Sequence, residues 1–474
     1  MSDGRTISYS EFRRACSAYR PSELLPVLGQ YSARTHGTAQ LDSERLKTLP
    51  PWGFATIARE CLLWGKDTPG RHVHENTVPG LFNLLRDVDD TADEPTLAEL
   101  ITPMFHDQFR FQADPFTDMA RAIVILGPGW DGLPDWDWTP VFGLSLPDMV
   151  RATSVLLGIA SGVGLGKVDL SGHWVPLVST ELAPLEDLTK ALAYLTLTPE
   201  EHHADAVKAG VLDDSVGQYA YNPIQAHPFI DFGPDIGVVS PEPRLVWQAI
   251  SLQNLYYVGP TYFGEKTFHQ DLGKRIEAYV GRQLGLIEVA QITGEVPLDA
   301  QNKMSIDWFL VLPDLIVLVE CKSARLNAKA LAGDPYEIAR ATQTYLTKAR
   351  DQIDKTAEKV RDHDRRVSFL PEDDRPIVGL IVTAEPMHMA NSGTPEYGTQ
   401  GDTPTMVLSL SDLERLVRVP TAELSARLAA MFDDPERRTW GFPQAFGLGA
   451  QGERNPIIRE ALNRSRFLRD DNGD

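Results

Sequence analysis

The segment of residues 305–322 constrains the fold of this chain more than any other stretch of the sequence. It consists of two apolar runs on either side of Pro313-Asp314. Proline presets φ and aspartate bonds back to the nearby backbone, so this pair is typical of a tight turn. The pattern predicts a β-hairpin whose strands cover residues 305–312 and 315–322.

The position of this turn predicts which side chains meet across the hairpin. A turn centred between Pro313 and Asp314 places Asp307 opposite Glu320. Directly opposed residues have Cβ atoms roughly 4.5–5.5 Å apart, and residues two apart on a strand share a face. We therefore expect Asp307, Glu320 and Lys322 to lie on one side of the sheet and Cys321 on the other. Asp314 is interpreted as a turn residue at the hairpin tip.

Burying two carboxylates and an amine on an apolar hairpin costs free energy, because each charge is desolvated and the two carboxylates repel each other. A divalent cation offsets this cost, and hard oxygen ligands suit Mg²⁺, which also bridges to phosphate oxygens. Asp307 and Glu320 are thus candidate metal ligands, and Lys322 could orient or help to deprotonate a water. The alternative is that all three are solvated residues at strand ends. Lys322 is, however, the single lysine of the chain with an acid two positions before it.

The rest of the C-terminal half alternates helical and extended patterns, which favours an α/β domain over residues 261–474. The preceding half reads as amphipathic helical segments, which predicts a mostly α-helical domain over residues 1–260. Within it, residues 206–260 are rich in proline and aromatic residues and suggest an extended connecting segment. The elements expected in the C-terminal half are helices at 271–286, 336–362 and 411–417, and further strands at 376–383 and 405–410.

Charge and composition exclude several classes of protein. The net charge is −21, with −15 on residues 1–260 and −6 on residues 261–474, which argues against a generally basic nucleic-acid-coating surface. A local basic face remains open in the run 348–366, although such mixed-charge runs are usually solvated helix faces. Three scattered cysteines do not form a zinc cluster or a disulfide framework. Without a signal peptide or a long apolar run, we expect a cytoplasmic protein that does not bind a membrane.

Asp307, followed by Glu320-Cys321-Lys322 at the end of an apolar strand, resembles the PD-(D/E)xK nuclease superfamily, which includes many restriction and phage-defence nucleases. The likeness covers roughly residues 262–420 and does not extend to the N-terminal half. It implies a restriction-endonuclease-like fold, with a mixed central sheet flanked by helices. It also implies Mg²⁺, for which Mn²⁺ should substitute, and an endonuclease acting on nucleic acid, with DNA expected rather than RNA.

The resemblance implies two accessory residues. Many members place a glutamate on the helix before the hairpin, and Glu277 would be the third metal ligand here. Some place a glutamine on the helix after the acid-x-lysine strand, for which Gln343 and Gln352 compete. Gln352 is preferred as the catalytic glutamine because it borders the apolar stripe of its helix more closely.

The sequence leaves alternatives open for the partners and the activity of this protein. Cutting both strands often calls for two sites, which favours a homodimer, and the N-terminal domain could bind a protein partner or an activating signal. The rival hypothesis is a protein that keeps the nuclease fold for binding or sensing without cleavage.

Overall fold

A computed structural model describes residues 6–36, 47–89, 96–171, 182–210, 217, 219, 222–288, 291–299, 303–398, 401–449 and 454–465. In chain order its first helices and strands are α1 Tyr9–Ser17, α2 Pro21–Thr35, α3 Pro51–Trp64, α4 Thr77–Arg86, α5 Leu97–Gln108, α6 Pro115–Leu126, α7 Thr139–Phe142, α8 Leu146–Ser161, β1 Lys167–Val168, α9 Leu185–Leu195, β2 Thr196–Leu197, α10 Pro199–Lys208, β3 Phe229–Asp231, β4 Val238–Val239, α11 Leu245–Gln248 and α12 Leu252–Phe263. They continue with α13 Glu265–Leu284, β5 Gln291–Gly294, β6 Trp308–Val311, β7 Ile316–Lys322, α14 Ala328–Leu331, α15 Pro335–Thr342, α16 Lys348–Arg361, β8 Ile377–Thr383, β9 Thr405–Ser409, α17 Leu410–Leu416, α18 Thr421–Asp433, α19 Phe442–Phe446 and α20 Pro456–Arg464.

A five-stranded sheet organises the C-terminal half, with strand order β5-β6-β7-β8-β9. The pairs β5/β6 and β6/β7 are antiparallel, whereas β7/β8 and β8/β9 are parallel. The predicted mixed sheet flanked by helices is therefore confirmed as an α/β fold. The central strands β7 and β8 are almost wholly buried, as expected for strands covered on both faces.

Helices cover this sheet from opposite sides. Helix α13 packs on β7 through an apolar stripe that includes Leu272, Ile276 and Val280, and Val317 and Val319 of β7 belong to the same cluster. Helix α16 packs on the other face through Ala349 and Ile353, together with Ile316 and Leu318 of β7. The alternation of side chains along β7 thus assigns odd-numbered residues to the α13 side and even-numbered residues to the α16 side.

The N-terminal half is mostly helical, as predicted, and it also contains a small sheet with strand order β1-β4-β3-β2. Residues 206–260 differ from the extended connecting segment expected there. They contain the short strands β3 and β4 and the helices α11 and α12. The proline and aromatic content suggested an extended chain. Instead, Ser251 caps helix α12, and the apolar residues of α12 pack in the core.

Three further elements differ in detail from the sequence-based expectation. Strand β5 was not predicted, because its four residues QITG carry little apolar pattern. Helix α13 begins at Glu265 rather than at residue 271. The long helix predicted over 336–362 is interrupted by a π-helical turn, Gln343–Thr347, between α15 and α16.

The largest apolar cluster joins the two halves of the chain. It includes Met149 and Leu156 of α8 as well as Leu380 of β8 and Leu413 of α17. Among the described residues, one helical stretch, Thr139–Ser161, is long and apolar enough to cross a membrane. Most of it (61%) is buried inside the protein, where α8 forms part of this core.

Candidate active site

The β6–β7 hairpin has the predicted register. Trp308 pairs with Val319 and Phe309 with Leu318, so Asp307, immediately before β6, comes opposite Glu320. The Leu312 N–H donates to the Leu315 carbonyl at 3.0 Å, which closes the turn. The Asp314 N–H donates to Ser425 Oγ at 2.9 Å, so Asp314 occupies the tip and not the site.

Asp307 is fixed by the neighbouring strand. Its Oδ2 accepts a hydrogen bond from the Cys321 N–H at 2.6 Å. Burial raises the pKa of Asp307, and this backbone N–H and the Lys322 charge partly oppose that shift. The bond leaves Oδ1 of Asp307 without a recorded partner on the face shared with Glu320 and Lys322.

Glu320 is the most deeply buried of the predicted site residues, with 1% of its surface exposed. Its Oε1 forms an ion pair with Lys322 Nζ, and its Oε2 has no hydrogen-bond partner. Burial and the nearby Asp307 charge raise the pKa of Glu320 to about 7, although Lys322 and the backbone N–H of Asp307 act in the opposite direction. A buried carboxylate oxygen without a partner is costly unless a cation or proton compensates it.

Lys322 connects Glu320 to helix α16. Its Nζ donates to Glu320 Oε1 and, at 3.0 Å, to Gln352 Oε1. The structure thus brings Gln352 to the cluster. Gln343 instead lies exposed in the π-helical turn, with no side-chain hydrogen bond recorded among the described residues.

Glu277 lies close to Asp307 at the edge of this cluster. Helix α13 covers the opposite face of the sheet, and the Glu277 carbonyl accepts a hydrogen bond from Trp308 Nε1 at 3.1 Å. Burial, then the charges of Asp307 and Glu295, raise the pKa of Glu277 to about 7, so it lies near Asp307 at the sheet edge. The structure records no hydrogen bond or ion pair between its carboxylate and another described residue. The position of Glu277 on the flank of α13 thus brings it near Asp307 without a recorded direct contact to the cluster.

Asp307 and Glu320 supply the carboxylate oxygens that a Mg²⁺ ion could use here. Within the described ranges, no cluster of three or more histidine, cysteine, aspartate or glutamate side chains has metal-binding spacing. The predicted three-carboxylate set including Glu277 is therefore not assembled here. Asp307 and Glu320 still offer hard oxygen atoms, one of them buried and unpartnered. Mg²⁺ is often held by one or two carboxylates and completes its shell with waters and substrate phosphates, so these two residues fit it.

A lysine-bearing groove lies beside the site, and most of its lysines belong to the run 348–366. Helix α16 presents Lys348, Gln352, Lys355 and Lys359 along one side, and Lys303 faces them from the loop before β6. The spacings of four, seven and eleven residues along α16 place these side chains in a row. The mixed-charge run 348–366 had indicated a basic helix face. Only the hydrogen bond between Gln352 and Lys322 places that face next to the site.

No protein-family model, curated protein or solved structure matches this chain. The function of this chain must therefore be inferred from the chemistry of its own site.

Proposed function

We propose that this protein is a Mg²⁺-dependent nuclease with a restriction-endonuclease-like C-terminal half, and that Asp307, Glu320, Lys322 and Gln352 form its active site. The observation that carries this proposal is the buried, unpartnered Oε2 of Glu320, on the face that Asp307 and Lys322 share. Buried carboxylates with strongly shifted pKa values are typical of functional sites.

Asp307 and Glu320 would hold the metal through their free carboxylate oxygens. When bound, Mg²⁺ supplies a Lewis acid that stabilises negative charge on the scissile phosphate and activates water. At pH values below the raised pKa of Glu320, proton release must accompany binding, because a protonated carboxyl is a poor ligand. Mn²⁺ should substitute, since it accepts the same oxygen ligands.

Lys322 would act on the attacking water. Two of its three N–H groups are used by Glu320 and Gln352, which leaves one donor for a water or a phosphate oxygen. Gln352 is a positioning residue in this scheme, because it holds the ammonium group from the side of α16. The side-chain surface of Lys322 is 21% exposed, so solvent and substrate can reach it.

The groove beside Gln352 indicates a polynucleotide substrate. Lys303, Lys348 and Lys355 are exposed, and the structure records no side-chain partner for them among the described residues. Three acidic residues also line the groove, so its net charge is only slightly positive. One of them is Asp299, whose Oδ1 accepts a hydrogen bond from the backbone N–H of Lys303. Eleven residues of helix between Lys348 and Lys359 span about 16 Å, which is long enough to contact several phosphates of one strand.

The test compares cleavage of plasmid DNA and of RNA by wild type, Lys322→Ala and Glu320→Gln in Mg²⁺ or Mn²⁺. Both variants should lose activity by at least about 100-fold, the scale of a lost acid–base or electrostatic contribution. Asp314→Asn, at the hairpin tip, is the matched control and should cut as wild type does. Equal activity in all four proteins would refute the proposed site.

A nucleic-acid-binding protein without cleavage is the second candidate, and the ion pair between Lys322 and Glu320 favours it. It predicts that wild type retains labelled DNA or RNA in a gel-shift assay while cutting neither one in either metal.

A further inference from the structure

A second cleft, of about 1150 Å³, lies away from the Asp307–Glu320–Lys322 cluster. It opens beyond the carboxyl ends of the parallel strands β8 and β9, where Thr383 and Ser409 are paired neighbours. Its other wall comes from the N-terminal half, from the end of α5 to Arg121 and from Gln248 to Gln253. Open α/β sheets commonly bind ligands outside the carboxyl ends of their strands, and the volume suits a small molecule.

Unused hydrogen-bond donors line this cleft. Gln248 is 6% exposed, and its Nε2 has no hydrogen-bond partner. The structure records no side-chain partner for Arg418 among the described residues. Arg454 lies 3.9 Å from Asp114 Oδ2 and over the Phe116 ring, 5.9 Å from its centroid, and its side chain is 36% exposed. The lining thus offers one buried amide donor and two guanidinium groups to a ligand with acceptor oxygens.

The carboxylates that line the same cleft have partners of their own. Glu414 accepts hydrogen bonds from Arg121 and Tyr279, and Asp118 pairs with Arg121. Asp412 caps α17 and pairs with Arg415. Glu414 and Asp118 share Arg121, and Asp114, which also lines the cleft, lies 3.9 Å from Arg454, so these carboxylates are engaged by arginines within the protein. The lining contains six arginines and no lysine, and a guanidinium group recognises phosphate with two parallel hydrogen bonds.

Aromatic rings line one part of the cleft. Phe105 and Phe109 stack with centroids 4.7 Å apart, and His388 meets both rings edge-on. Phe109 is 37% exposed, which is unusual for a phenylalanine that already packs against two other rings. Exposed aromatic faces of this kind stack on planar bases.

We propose that this cleft binds a phosphorylated nucleoside, with the phosphates at Arg418 and Arg454 and the base against Phe105 and Phe109. The nucleoside could be free or could be the end of a polynucleotide strand, because both carry the same chemistry. The proposal does not depend on the nuclease proposal, since the residues of the two sites differ.

An ion pair links the cleft to the strand that carries Lys322. Glu385, which lines the cleft, pairs with the buried Arg325, three residues after Lys322. Arg325 also stacks on the Tyr256 ring, with its guanidinium carbon 4.0 Å from the centroid. A ligand that displaces Glu385 would therefore act on the segment that directly follows β7.

The experiment is isothermal titration calorimetry of the full chain with ATP, GTP, CTP and UTP, without divalent metal. At least one should bind, and Arg418→Gln should weaken that affinity about tenfold, the loss of one charge-assisted contact. Arg34→Gln, which changes an exposed arginine on α2, is the matched control and should bind as wild type does. Melting curves without ligand check that both variants are folded.

Inorganic triphosphate, adenosine and a short oligonucleotide complete the set of ligands. Weaker binding of triphosphate and of adenosine than of the best nucleotide supports the proposal, and competition by the oligonucleotide identifies a strand end as the source. No binding of any nucleotide, equal binding by Arg418→Gln, or triphosphate binding as tight as that of the nucleotides would overturn it. Because no cleavage is measured, these outcomes are independent of the nuclease test.

Discussion

Glu320 is a carboxylate whose surroundings disfavour its charge. Burial and Asp307 raise its pKa to about 7, from an ordinary value near 4.5. The folded state therefore binds a proton more tightly than the unfolded state does. Without metal, this group's contribution makes the protein less stable as the pH rises from about 4.5 to about 7, and the loss is complete above that range.

The first prediction concerns Glu320→Gln at pH 8. Without metal, the variant should melt a few degrees higher than wild type, because the amide removes a buried negative charge. Mg²⁺ should raise the melting temperature of wild type, and increasingly so from pH 6 to pH 8, but should leave the variant unchanged. Thermal denaturation without Mg²⁺ and at Mg²⁺ concentrations that increase in tenfold steps measures both effects. A variant that Mg²⁺ stabilises as much as wild type would exclude Glu320 as a ligand.

At the scale of elements, the distance between α16 and the sheet sets the position of Gln352. Gly379 on β8 allows this approach, since a Cβ there would lie 2.4 Å from Thr405 Oγ1 and 2.9 Å from Ile353 Cγ2. Ile353 follows Gln352 directly on α16. Close packing at this one residue therefore supports the hydrogen bond between Gln352 and Lys322.

Gly379→Ala should lower the free energy of unfolding by about 1–3 kcal/mol, the usual cost of overpacking a buried contact. It should also lower the kcat/KM of cleavage, because a shift of α16 displaces both Gln352 and the lysine row that this helix carries. Urea denaturation and steady-state kinetics measure these effects. Gly294→Ala on β5, where the added Cβ meets nothing closer than 3.8 Å, should leave both unchanged.

The lysine row of α16 gives the second prediction at this scale. Lys348→Gln with Lys355→Gln should weaken DNA binding and reduce the slope of log affinity against log salt by about 2, because two phosphate contacts are lost. Fluorescence anisotropy in the Glu320→Gln background measures binding without cleavage. Lys208→Gln with Lys266→Gln changes the net charge equally at exposed residues elsewhere. If both pairs weaken binding alike, the groove has no special role.

At the scale of the whole molecule, a buried ion pair joins the two halves. Arg121 of α6 donates to both carboxylate oxygens of Glu414 on α17, and Tyr279 of α13 donates to Glu414 as well. All three side chains are buried. The two halves are therefore held together by polar bonds as well as by the shared apolar cluster.

Arg121→Ala should lower the free energy of unfolding by about 3–5 kcal/mol, because it leaves the Glu414 carboxylate buried without its cation. Chemical denaturation monitored by tryptophan fluorescence measures the loss. Arg14→Ala, at an exposed position on α1, should change stability by no more than about 0.5 kcal/mol. A similar small change for Arg121→Ala would mean that Glu414 finds another partner or a proton.

The sequence by itself determined the hairpin, its register and the shared face of Asp307, Glu320 and Lys322. These follow from local rules, since a two-residue turn and the alternation of strand side chains leave one pairing. The α/β character of the C-terminal half and the helical N-terminal half were also readable from apolar periodicity. Strand β5 and the helices α11 and α12 were missed because their local patterns are weak and tertiary contacts stabilise them.

Only the tertiary structure decided which helices face the site. It placed Gln352 at Lys322, set Glu277 on the helix that covers the other face, and joined distant segments into the arginine-lined cleft. Such contacts depend on how elements pack at long range, and a spacing along the chain does not specify which face of a helix meets which face of a sheet. The strand supplies the reactive groups from its own sequence, whereas packing selects the groups that surround them.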